Sequence, residues 1–381
     1  MDFGLSEEHQ IVQRSIRKLC ETELDPIARE IDTDERFPME VYRKLGQHGF
    51  LGALVPPEYG GSGSDLMTMY IIKEELCRSA SGMGVSVAIC ALNHCHFIAR
   101  FGTDEQKQKY IPPVSQGERL ASYCITEPNA GSDTLGIQTR ARREGDYFVI
   151  SGTKTFITNA PLADYFIVVA RTSGERSVKG ATNFILERGM EGVSTGKPFE
   201  KMGMRCSPTG EVFLEEVRVH RNQVLGKEED GFSDMFTTLN AERALAAATA
   251  TGIAQACLDA SLRYARDRVQ FGRPIGTFQF VQGMLAEMAM NLEMARTYAH
   301  KVVWLYEEGK AIRHEAAMAK LFASTMAVRT AQDAVQIHGG YGYMREYPVE
   351  RYYRDAKLGE IGGGTSEIQK LVIGRALMQG P

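Results

Sequence analysis

Paired cysteines, a dominant charge and membrane-length apolar runs are all missing from this sequence, and each absence narrows what the chain can be. Seven cysteines (Cys20, Cys77, Cys90, Cys95, Cys124, Cys206, Cys257) are scattered over 381 residues with no CxxC among them. An odd count at loose spacing argues for reduced thiols in a cytoplasmic setting. The formal net charge of −4 gives no basic surplus, which argues against nucleic-acid binding. No apolar run approaches the roughly 20 residues that span a bilayer. The N-terminus, MDFGLSEEHQ, has neither an apolar signal core nor an Arg-rich transit pattern. There is no GxGxxG after a strand and no P-loop lysine, so a nicotinamide-binding Rossmann unit is poorly supported. The one stretch that looks like a metal cluster, NHCH, puts His94, Cys95 and His96 on different sides of a helix, so no metal is expected.

What is present falls into three regions. A chain of 381 residues exceeds one ordinary hydrophobic core, so two or three domains are expected. Residues 1–117 read as helical: Ser6 is a candidate N-cap, proline opens PMEVYRKLGQHGF, and two apolar helices precede TDEQKQKYIPPV. Over 118–228 the texture changes to short runs rich in β-branched and aromatic residues, separated by turns such as REGDY. That pattern predicts an antiparallel β barrel or sandwich. Residues 229–381 return to long helices, rich in Ala and Met and apolar on more than one side, as in a bundle packed against other subunits. The expected fold is multidomain α+β, with helical bundles flanking a β domain.

Several segments carry polar groups where a ligand would need them. YCITEPNAGSD (123–133) joins a strand to a polar loop with hydroxyls at Tyr123 and Thr126. GTKTFITNA (152–160) offers Phe156 for stacking, with Thr158 beside it. RDRVQFGRPIGTFQ (266–279) sets arginines around a turn, suited to pyrophosphate. QIHGGYGY (336–343) has two glycines that allow close backbone approach, and GGGTSEIQ opens a helix whose N–H groups can bind an anion. Taken singly, each also reads as an ordinary strand end, core aromatic, helix-joining loop or helix end.

Together, and in this order, YCITEPNAGSD, GTKTFITN, RVQFGRPI, QIHGGYGYMREYPVERYYRDAK and IGGGTSEIQ resemble the signature segments of the acyl-CoA dehydrogenase family. The similarity covers essentially the whole chain. It implies a homotetramer, a dimer of dimers, with one FAD per subunit, acting on an acyl-CoA and passing electrons to electron-transferring flavoprotein. By the resemblance, Tyr123, Ile125, Thr126, Phe156, Ile157 and Thr158 lie against the flavin, and Ser132 lies near both FAD and acyl-CoA. Arg268, Phe271, Gln279, Gln336, Gly339 and Gly340 are implied to contact a neighbouring subunit's FAD. Thr365 and Glu367 are also implied to contact FAD, and Asn240 and Arg243 to meet the CoA chain. The implied reaction removes the α proton of a thioester with a carboxylate base while the β carbon gives hydride to the flavin.

The sequence departs from the commonest family pattern at the base. Most members have Tyr-Glu-Gly-Thr where this chain has Gly362-Gly363-Gly364-Thr365, so the usual catalytic Glu falls on Gly363. A minority branch, resembling isovaleryl-CoA and long-chain acyl-CoA dehydrogenases, carries its Glu just before the arginine that aligns with Arg243. Glu242 occupies that place. At helical spacing Leu239, Glu242 and Ala246 share one stripe, and Asn240 and Arg243 share another about 100° round. Glu360, three residues before the vacancy, is the rival. The loss of the Tyr and Glu side chains at Gly362 and Gly363 leaves room beside the substrate, which predicts a branched, cyclic or bulky acyl group, with Gly363 and Gly364 implied to contact it. The arginine that glutaryl-CoA members use falls on Gly84, against that route, and Asn93, His94 or Cys95 is placed at the far end of the pocket. Altered chemistry on the same fold (elimination or enoyl-CoA reduction) and a non-catalytic CoA-binding subunit are the alternatives.

Overall fold

The computed structural model describes residues 4–174 and 176–379. The first region is helical. Helix α1 (Glu7–Leu19) is capped by Ser6, whose hydroxyl accepts from the His9 N–H. Helix α2 (Met39–Gln47) starts after Pro38, and α3 (Leu66–Ser79) is capped by Asp65. Helix α4 (Ser81–Phe101) contains a π-helical stretch, Ile89–His96, and α5 (Asp104–Tyr110) begins with a full capping box between Thr103 and Gln106. By length and composition α4 has what a membrane span needs, more than the apolar runs of the sequence suggest. However, 78% of its apolar window is inside the protein, as in a core helix.

The middle region is a mixed sheet rather than a closed antiparallel barrel. Its strands are β1 (Ala121–Cys124), β2 (Arg140–Glu144), β3 (Tyr147–Thr158), β4 (Tyr165–Arg171), β5 (Ala181–Glu187), β6 (Val193–Thr195), β7 (Thr209–His220) and β8 (Val224–Leu225). The order β6-β7-β3-β2-β4-β5-β8 leaves β6 and β8 as edges, so the sheet stays open. β1 runs parallel to β4, from Ala121 opposite Tyr165 to Cys124 opposite Val168. A parallel pair needs a long connection, and the 40 residues between them, which include the β2–β3 hairpin, provide it. β3 slips register against β7 between Lys154 and Ile157, a bulge.

The last region is built from α6 (Gly231–Asp267), α7 (Gln279–Glu307), α8 (Arg313–His338), α9 (Val349–Ala356) and α10 (Ser366–Gln379). It does not stand apart from the first. One apolar cluster runs from Ile16 and Leu76 through Leu245 and Ile253 to Ala334 and Ala356, joining both helical regions. Contact is close where α3 crosses α6. A Cβ on Gly252 would lie 2.3 Å from the Glu74 carbonyl oxygen, so only glycine lets the two backbones approach. The Tyr70 and Thr251 hydroxyls hydrogen-bond at the same crossing, 3.0 Å apart.

Candidate active site

Glu242 lies early in α6, half-buried, on the face turned toward α4 and the glycine loop. Asn93, in the π-helical part of α4, donates from Nδ2 to Glu242 Oε2 at 3.0 Å. A π turn rotates the side chains that follow it relative to an α-helix, and Asn93 is aimed by that turn. On the other side stands the loop 362–364. A Cβ built on Gly363 would meet one atom within 4 Å, Glu242 Oε1 at 3.8 Å. The carboxylate of Glu242 thus stands beside the space that a side chain at 363 would enter. Gly363 and Gly364 have φ of +64° and +95°, the left-handed region in which other residues are strained.

The loop is clamped from beneath. Lys320 of α8, 1% exposed, donates to the Gly364 carbonyl at 2.7 Å, and Gln369 Nε2 donates to the same oxygen at 2.9 Å. Burial, aided by nearby Arg243, pulls the Lys320 ammonium down to about 8. Arg243 is buried beside the loop with its Nε unpartnered, and burial lowers its pKa against the pull of Glu242. Asn240 is half-buried one turn before it. Glu360, the rival carboxylate, is engaged by Lys357 at 2.6 Å. Thr365 caps α10 by accepting from the Ile368 N–H, and Glu367 is exposed in the first turn.

The β domain supplies a second wall. Lys154 and Glu127 form a buried ion pair at 2.7 Å; Lys154 also donates to the Ile125 carbonyl at 3.0 Å. Burial works against the Glu127 charge, but Lys154 and the N–H groups of 138 and 139 outweigh it and hold the carboxyl below its usual range. This pair fixes the loop that carries Thr126, whose carbonyl accepts from the Thr155 N–H. The bulge then turns Phe156 outward, 69% exposed at φ +57°. Thr158 is half-buried nearby, and Ser132 is exposed on the polar loop. Ile157 points the other way, into the sheet core at 3% exposure, leaving only its backbone for a ligand. The Tyr123 hydroxyl is buried without a hydrogen-bond partner among the described residues. An exposed aromatic held in a strained conformation, an orphaned hydroxyl and half-buried threonines fit a planar heterocycle such as a flavin.

A second cluster forms at the far end of α6. Arg268, Gly339 and Gly340 line a cleft of about 460 Å³ with Tyr264, His338 and Tyr341. Neither glycine has anything within 4 Å of where a Cβ would stand, so the cradle is open to a ligand. Phe271, 93% exposed, sits at the tip of the adjoining hairpin, and Gln279 and Gln336 are exposed near it. His338 is a structural residue: Nδ1 donates to the Ala334 carbonyl at 2.8 Å, and its ring stacks on Tyr264. His94 donates from Nε2 to the Tyr110 carbonyl, and no metal-binding group of His, Cys, Asp or Glu forms among the described residues. At 1.5 Å per residue, Glu242 and the C-cap Arg268 are about 39 Å apart along α6, too far for one dinucleotide to touch both.

Family models for the N-terminal, middle and C-terminal domains of acyl-CoA dehydrogenase match residues 6–118, 122–217 and 229–378. The chain belongs to the acyl-CoA dehydrogenase family. A probable acyl-CoA dehydrogenase of Bacillus subtilis is 45% identical over all of both chains. A 3-(aryl)acrylate reductase of Clostridium sporogenes is 42% identical, covering 98% of this chain and 99% of its own. A chain in a structure of the electron transferring flavoprotein of Acidaminococcus fermentans is 40% identical, with a TM-score of 0.97 over all of both chains. The protein is therefore an FAD-dependent oxidoreductase of acyl-CoA metabolism.

The structure brings Glu242, Arg243, Gly363 and Gly364 into one place, with Asn93 beside them. Lys320 and Gln369 escaped the sequence reading. The only trace of Lys320 was a charge inside an otherwise Ala-rich helix.

Proposed function

We propose that the protein dehydrogenates an acyl-CoA thioester between its α and β carbons, with Glu242 as the base. The observation that carries this reading is the 3.8 Å between Glu242 Oε1 and the Cβ position of Gly363. A carboxylate from α6 thereby serves the space that most relatives fill from the loop. Bound FAD supplies the acceptor for the β hydride. Asn93 holds one oxygen of Glu242 and leaves the other to take the α proton. Arg243 and Asn240 meet the CoA chain, and Lys320 keeps the glycine loop in place. With no side chains at 362–364, the substrate is a branched, cyclic or otherwise bulky acyl group. Electrons pass to an electron-transferring flavoprotein in a reducing compartment, a setting that the seven free buried thiols suit.

An Arg268–Gly340 cleft about 39 Å along the helix from Glu242 supports an oligomer in which each such cleft completes a neighbour's FAD site. We propose the homotetramer. Enoyl-CoA reduction is the second reading, favoured by the reductase among the relatives; Glu242 would then return the α proton. Anaerobic titration of the flavin absorbance with an acyl-CoA panel separates these readings. Glu242→Gln should lower the bleaching rate roughly 10²–10⁴-fold. Near-normal bleaching by that variant would remove Glu242 as the base, and reduced enzyme that enoyl-CoA reoxidises while no acyl-CoA of the panel bleaches the oxidised flavin would favour the reductase reading.

A further inference from the structure

Helix α1 and the residues that follow it to Thr33 face the middle of α6 and the start of α9 across a cavity of about 350 Å³. Ala256 of α6, which lines it, is 14 residues beyond Glu242, about 21 Å along the helix. No residue lines both this cavity and the Arg268–Gly340 cleft. Tyr347 stands between them: it lines the cavity, and its ring packs against Tyr264 and Tyr341 of the cleft, 5.6 Å from each. The lining is charged, and its ion pairs do not close. Every lining acid but Glu346 is tied to an arginine: Glu21 and Asp25 to Arg17, Asp259 to Arg78, Asp32 and Glu350 to Arg354. Arg29, Arg263, Arg345 and Arg351 also line the cavity and make no ion pair among the described residues. The first three are exposed, at the rim. Arg351 is 8% exposed on α9, and its Nε is buried without an acceptor. One of its terminal nitrogens donates to the Ser79 carbonyl at 3.3 Å, at the C-terminal end of α3, where a cation is favoured. Nothing comparable answers Nε. Asp355, one turn further along α9, accepts from the Met204 N–H and forms no ion pair with Arg351. Buried donors in folded proteins nearly always have a partner.

We propose that this cavity is a binding site for a small organic anion, whose carboxylate or phosphate oxygen accepts from Arg351 Nε while the rim arginines add to the attraction. Its volume is that of a metabolite site rather than of a lone ion. Tyr347, Pro348 and Tyr352 give it an apolar wall for the organic part of the ligand. Guanidinium groups bind carboxylate and phosphate oxygens alike, so the two arms of the test separate them.

The test is isothermal titration of the FAD-loaded enzyme, at fixed ionic strength, with succinate, AMP and inorganic phosphate. Succinate or AMP should bind saturably, and more tightly than inorganic phosphate. Arg351→Met should weaken that binding about 10-fold or more, the scale of one charge-assisted hydrogen bond. The flavin spectrum and anaerobic bleaching by acyl-CoA should stay as in wild type. Should the Met variant not fold, Arg263→Ala with Arg345→Ala, both at the exposed rim, should weaken the binding several-fold. Failure of both organic anions to bind wild type overturns the proposal, as does an affinity that these variants leave unchanged. Inorganic phosphate binding as tightly as either organic anion would reduce the site to that of a lone ion and overturn it too. Loss of oligomer mass in Arg351→Met, with no anion bound by wild type, would mean that a neighbouring subunit fills the cavity instead.

Discussion

Asn93 and Gly363 bracket the carboxylate of Glu242, one by holding it and the other by leaving it room. Asn93→Ala removes a donor to the ionised form. The rate of anaerobic flavin bleaching should fall about 10-fold, because the carboxylate loses the contact that orients it. Gly363→Glu alone should inactivate, since its carboxylate would crowd that of Glu242 and its φ of +64° suits glycine. Paired with Glu242→Gly, the same substitution should recover at least ten-fold over Glu242→Gly alone in anaerobic flavin bleaching. Glu242 was legible in the sequence because its neighbours form a motif and because Gly363 stands where a Glu is usual. Asn93 was legible only as one of three neighbours lining a pocket. Which of them turns inward depends on a π turn, and no residue in ICALNHCH announces one.

Strand β3 shows how an element can be read correctly and still hide its main feature. Its alternating pattern predicts the strand, but the slip between Lys154 and Ile157 that turns Phe156 outward depends on β7, some 55 residues later. The parallel β1–β4 pair and the open edges were hidden for the same reason, since strand partners are set by tertiary packing. The Lys154–Glu127 pair anchors this element from within. Removing one member, as in Lys154→Met, should cost about 3–5 kcal/mol in a denaturant titration, because a buried charge is stranded. Lys154→Met with Glu127→Gln should cost less than Lys154→Met alone. The glycine loop depends likewise on α8 through Lys320, whose pKa of about 8 lies below the ordinary 10.5. The unfolded chain holds that proton more tightly. The contribution of Lys320 to stability therefore rises as pH climbs from about 8 toward 10.5. Denaturation midpoints at pH 7 and pH 9.5 should show wild type gaining on Lys320→Met at the higher pH.

At the scale of the whole molecule, α7 exposes Phe280, Met290, Met294 and Trp304, more apolar surface than a helix facing water needs. In the proposed tetramer this surface is covered. Met290→Lys with Met294→Lys should lower the mass seen by light scattering, and, with each cofactor site drawing on a neighbour as proposed, FAD content should fall with it. The α-β-α order was plain from composition and periodicity. The fusion of the two helical regions into one core was not, because the residues that join them lie hundreds of positions apart. The 3.8 Å between Glu242 Oε1 and the Cβ position of Gly363 has a consequence for how such proteins are compared. Aligned column by column, this chain has glycine where the usual acid stands. With Glu242 in its proposed role, an alignment by the volume that functional groups occupy would recover the acid, because two backbone segments open onto one small space.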